Sequence, residues 1–128
     1  MQQRVLRIVG WVITVLASLL LLLSATMKFS APPMVTEQFV DRFGYPAPAL
    51  LWIAVTEVAC VILLLIPQTA ILGAILLTGY LGGAVATHVR VSDPFITPIV
   101  LGVLVWAALV LREPRLRAIL PLRFAQKV

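Results

Sequence analysis

The sequence predicts an all-α integral membrane protein: a four-transmembrane-helix bundle with a short amphipathic interfacial helix between the first and second spans. The first observation behind this is composition. Of 128 residues, 62% are hydrophobic and only 12% charged, and the mean hydropathy is +1.09. A soluble domain is closer to about half apolar and about a quarter charged, so the excess is too large for one globular core. The second observation is that the apolar residues fall into four runs, near the length of ~20 residues that a ~30 Å hydrocarbon core requires. One membrane domain over residues 1–128 follows, with spans at about 5–27, 48–66, 70–87 and 96–111 and a cytoplasmic basic tail at 112–128.

The first run, Val5 to Met27, carries Arg4 and Arg7 at its start and leads into Lys28 and Phe29. It is longer than the ~7–15-residue core of a signal peptide and ends without a small-residue cleavage site, so an uncleaved span is expected. Along it Gly10, Thr14, Ala17, Ser18, Leu21, Ser24, Ala25 and Lys28 share one side. Small and polar faces pack helix on helix inside a bilayer, while aliphatic faces meet acyl chains, so this stripe should point inward.

The connecting segment "KFSAPPMVTEQFVDRFGYPA" places Met34, Val35, Phe39 and Phe43 at roughly helical spacing. That spacing predicts a short helix lying at the interface, stopped by Gly44 and Pro46, with Tyr45 at headgroup depth. The second run holds a lone carboxylate, Glu57, about nine residues and ~14 Å from Pro48, close to the midplane. A charge there must face the bundle interior and find a partner. Only Pro67 to Thr69 separate the second and third runs, so these helices are antiparallel neighbours. The third run contains a Gly79-x-x-x-Gly83 pair, expected to pack closely against another helix. Beside it Tyr80, Ala84, Thr87 and His88 form a second stripe. The fourth run begins at Ile96 with Pro98 in its first turn, where a proline is tolerated.

Charge sets the orientation. The N-terminus and the C-tail hold Arg4, Arg7, Arg112, Arg115, Arg117, Arg123 and Lys127; the opposite side holds Lys28, Arg42 and Arg90. The chain is therefore expected to cross the cell (inner) membrane several times, with both termini in the cytoplasm. The same pattern, a basic flank and not a basic groove with aromatics, argues against nucleic acid. Cys60 is the single cysteine and His88 the single histidine, which leaves too few ligands for a metal site. Arg90 and Asp93, three apart, are expected to pair locally.

These placements converge on a polar cavity in the outer half of the bundle. Glu57 and Tyr80 would form its floor, and Lys28, His88 and Arg90 would line its mouth, with Thr87 on the same stripe. Glu57 is open to two readings, a ligand-binding or proton-handling carboxylate and a buried ion pair with Lys28 or Arg90. Catalytic candidates are Glu57, His88 and Tyr80; ligand-binding candidates are Lys28, Glu57, Tyr80, Thr87, His88 and Arg90.

The order of a lysine after the first span, "GYP" at Gly44 to Pro46, a glutamate in the second span, and "GYLGGAVATHVRVSDP" at Gly79 to Pro94 resembles the DoxX-like membrane proteins. The likeness runs from the first span through the fourth. It implies a four-helix membrane bundle, and relatives that look like accessory subunits or assembly factors around quinone-linked redox complexes. The chain carries no flavin, haem or nucleotide motif, so no cofactor is evident beyond a quinone-like guest. The expected function is an accessory or ligand-binding subunit holding a quinone-like or lipid-like molecule, with membrane lipid, a second copy or a larger membrane complex as partners. The alternatives are a small membrane enzyme with Glu57 as base and His88 or Tyr80 as acid, an assembly factor for another membrane protein, and, ranked lowest, a proton-linked transporter.

Overall fold

The computed structural model describes residues 1–120, and every described regular element is helical. Helix α1 spans Gln2–Ser30, α2 Pro33–Thr36, α3 Ala49–Leu65, α4 Ala70–Arg90, α5 Ile96–Arg112 and α6 Pro114–Ile119. A π-helical turn, Glu37–Arg42, continues α2, and a 3-10 turn, Pro67–Thr69, joins α3 to α4. Two stretches are long and apolar enough to cross a membrane, Gln2–Ser30 and Pro67–Arg90. Helices α3 and α5 are apolar but shorter, at 17 residues each.

Local chemistry explains where the helices stop. Ala31 closes α1 in the left-handed conformation, its N–H returning to the Met27 carbonyl, and Pro32 and Pro33 bar any continuation. Gly44, at φ 79°, turns the chain after the π-helical segment, a conformation that glycine adopts without a Cβ penalty. Ile66 is extended ahead of Pro67, as residues before proline tend to be.

Helix α1 packs against α3 and α5, and α4 packs against the same two, so the four long helices close a ring. The core between them is aliphatic: Leu21, Val61, Leu64, Leu77, Val105 and Leu109 are all nearly inaccessible. The small-residue stripe of α1 does turn inward, with Gly10, Thr14, Ala17, Ser18, Leu21, Ala25 and Lys28 buried. Its opposite face leaves Val12, Leu16, Leu19 and Leu23 exposed, a display that water would penalise and acyl chains would not.

Close helix approach occurs at glycines other than the expected pair. A Cβ on Gly73 would sit 2.4 Å from the Leu64 nitrogen, and one on Gly10 would sit 2.6 Å from the Ala108 carbonyl oxygen. The packing expected of Gly79 and Gly83 is not found among the described residues: a Cβ on either meets none of their atoms within 4 Å, and both residues are exposed. The sequence spacing was right for a contact, but the space beside these two is a cavity wall.

The connecting segment differs from a helix merely lying flat. Val35 and Phe43 are buried while Met34 is exposed, and the segment is tied down as a strap over one end of the bundle. Tyr45 and Thr87 share a hydroxyl–hydroxyl hydrogen bond of 2.7 Å, and Arg90 donates to the Phe43 carbonyl. Arg42 pairs with Asp93, so the local Arg90–Asp93 pair is not formed; Arg90 instead serves a backbone carbonyl that the π-helical segment leaves open. At the opposite end, the first part of the basic tail folds as α6. Leu116 is buried there, and Arg117 donates to the carbonyls of Val110 and Leu111. Arg123 and Lys127, the end of that tail, lie outside the described residues.

Candidate functional site

The site begins with a salt bridge. Lys28, at the end of the small-residue stripe on α1, places Nζ 2.7 Å from Oε2 of Glu57 on α3. Both groups are withdrawn from the surface, Lys28 being 7% and Glu57 1% exposed. Two single charges so buried are tolerable only as a pair with further hydrogen bonds. Lys28 supplies one of these by donating to Ser24 Oγ, one turn back on its own helix, and Ser24 lies 3.5 Å from the same carboxylate oxygen. The ammonium also stands 5.7 Å from the ring centroid of Phe39, so the strap contributes an aromatic face to the cation. Tyr80, on α4, lines the same space as Glu57.

A cavity of about 690 Å³ opens beside this cluster. Lys28, Glu57, Tyr80, Thr87 and His88 all line it, so five of the six expected ligand-binding residues share one space. Arg90 does not line it, because its guanidinium is turned to the Phe43 carbonyl. Most of the remaining wall is apolar, including Leu20, Leu21, Ile53, Leu81 and Leu101. A volume in this range suits a small lipophilic molecule, and apolar walls with a few convergent polar groups are the usual make-up of such sites.

The polar groups are chemically distinct. The Nδ1–H of His88 donates to the Ala84 carbonyl at 2.7 Å, so a neutral ring presents Nε2 as an acceptor. The His88 ring rests 5.1 Å from Phe43 of the strap. Thr87 is engaged with Tyr45 and with the Gly83 carbonyl. The Lys28–Glu57 pair brings no net charge to the cavity. The arrangement therefore favours an uncharged head group that can hydrogen-bond, because an ionic one would have to be desolvated without a free counter-charge.

The strap takes a share of this space that the sequence pattern does not show. Gln38, Phe39, Phe43 and Tyr45 line the cavity as well. The signal was present as aromatic residues at 39, 43 and 45 between two spans, but nothing in their spacing shows that the segment folds back over the bundle. Cys60 is a core packing residue, 3% exposed. Among the described residues no group of three metal-ligating side chains comes together.

Fold and site together define a small all-helical membrane protein with an ion pair and a lipophilic cavity inside its helix assembly. The match with known families agrees: residues 12–110 fit the model of the DoxX-like family, and the chain belongs to it. No curated protein and no solved structure matches the chain.

Proposed function

We propose that this protein is a four-span, single-domain subunit of the cell (inner) membrane that holds a neutral, quinone-like or lipid-like molecule, acting as an accessory or ligand-binding component of a larger membrane assembly. The observation that carries the reading is the cavity of about 690 Å³ whose apolar walls meet the Lys28–Glu57–Tyr80 cluster and His88. An apolar tail fits the walls, the head's oxygen atoms accept from donors on Lys28 and Tyr80, and a head that carries a hydroxyl, such as a quinol or a lipid alcohol, can donate to the acceptor nitrogen of His88. Helices α3 and α5, each 17 residues or ~26 Å long at 1.5 Å per residue, span a ~30 Å core with slight local thinning or with help from flanking residues. Both termini then face the cytoplasm, and the strap faces the other side.

The binding experiment is mass spectrometry of what the purified protein retains, compared with the Lys28→Met/Glu57→Gln double variant. That variant keeps the shape of the site and removes its charges together, so folding is retained. One lipophilic species should accompany the unaltered chain in stoichiometric amount and be lost from the variant. Equal bulk lipid in both would refute the reading. A reporter fused after Val128 should be active only in the cytoplasm, and a signal from the opposite side would overturn the orientation.

A further inference from the structure

The cavity is not confined to the middle of the bundle. Leu77 and Leu81 of α4 point into the core and are 0% and 5% exposed. Gly79 lies between them in sequence, and at ~100° per residue it stands about 160° round the helix from each. Yet Gly79 lines the same cavity as Glu57, as does Gly83 one turn on. The space thus extends from the buried carboxylate to the outer flank of α4. On α1 the cavity likewise reaches Leu20 and Met27, which are 59% and 38% exposed on the apolar surface. The end of the bundle, in contrast, is covered by the strap, fastened through Arg42 to Asp93, Arg90 to the Phe43 carbonyl, and Tyr45 to Thr87.

We infer that the cavity opens sideways through the apolar surface of the bundle, and that Gly79 and Gly83 keep this opening clear for a neutral lipophilic guest arriving directly from the bilayer. Two glycines in one helix weaken it unless their lack of a side chain is used. Neither packs against another helix among the described residues of this chain, since a Cβ on either would occupy open space there. What their absent side chains provide is width at the cavity wall. A guest with a long apolar tail gains from this route, because it never has to pass through water between the membrane and the site. Lateral entry rests on the ligand-binding reading and specifies where the ligand comes from and which residues admit it.

The test uses the full-length protein in phosphatidylcholine vesicles and a benzoquinone bearing a ten-carbon tail as the probe. Uptake is followed by rapid separation of the protein and quantification of the quinone it carries. In Gly79→Phe/Gly83→Phe the uptake rate should fall at least about tenfold, equivalent to ~1.4 kcal/mol in barrier, with helicity unchanged. Gly83→Phe alone should give an intermediate rate and serves if the double variant is poorly folded. Asp93→Asn, which frees the strap from Arg42, should leave the rate as it is. Uptake by the phenylalanine variants at the original rate overturns the lateral route while leaving the binding reading standing. Faster uptake in Asp93→Asn places the entrance under the strap and also overturns it. If the unaltered protein takes up no quinone, the binding reading fails and the lateral route falls with it.

Discussion

Replacing Glu57 by glutamine should be among the most damaging single changes in the chain, and replacing Lys28 at the same time should undo most of the damage. At 2.7 Å and an effective dielectric of about 20, the direct attraction between the two charges is about 6 kcal/mol. Most of this offsets the desolvation of both groups, so the pair adds little net stability compared with a well-packed apolar pair. With Glu57→Gln the balance changes, because the Lys28 ammonium stays buried with only Ser24 and the Phe39 ring for company. Leaving one member of such a pair costs about 3–5 kcal/mol. For a chain of this size that corresponds to a loss of roughly 12 °C or more in melting temperature. The double variant Lys28→Met/Glu57→Gln removes the stranded charge and should recover all but about 1–2 kcal/mol, the residue of an uncharged amide left in an apolar setting. Cys60 provides the assay, since it is the single cysteine and is buried, so a thiol-reactive dye reports unfolding. A Glu57→Gln midpoint within a degree or two of the original would refute the reasoning. So would a double variant as unstable as the single one.

The two kinds of glycine should respond oppositely to alanine. Gly73→Ala forces a Cβ to within 2.4 Å of the Leu64 nitrogen and 2.7 Å of the Leu63 carbonyl carbon, and backbone cannot swing aside, so a loss of about 2 kcal/mol or more is expected. Gly79→Ala meets open space and should leave the midpoint unchanged or slightly raised; equal losses at both positions would contradict the packing described. Arg112, 7% exposed, stacks its guanidinium 4.0 Å from the Trp11 ring centroid and donates to the Leu64 carbonyl at 2.9 Å, which joins three helices at the end away from the cavity. Arg112→Met should lower stability by about 2 kcal/mol, and Arg112→Lys should restore little of it, because an ammonium lacks the flat face that stacks. Full rescue by lysine would show that charge alone matters there.

Much of this molecule is legible in one dimension. The apolar runs place the four long helices, since a helix in an apolar setting announces itself by length and hydropathy. The small-residue stripe from Gly10 to Lys28 shows which face of α1 turns inward, because only small side chains allow helices to approach without a hydrophobic drive between them. Glu57 had to be internal and partnered on energetic grounds. The same rules misassigned Gly79 and Gly83, because G-x-x-x-G spacing marks a face that can pack and is silent on whether a helix arrives to use it. Arg90 and Asp93 were close in sequence, but Arg42, fifty-one positions from Asp93, reaches the carboxylate once the strap has folded back.

The sequence by itself therefore determined the helical class, the inward faces and the need for a partner to Glu57. All of these follow from the cost of exposing or burying individual side chains. The tertiary structure decided which partner Glu57 takes, that the strap closes one end of the bundle, and that the Gly79–Gly83 wall stays open. Those outcomes depend on which of several physically adequate neighbours comes within about 3 Å, the range over which a hydrogen bond forms. Spacing along the chain cannot specify that distance between helices; packing of the whole ring does.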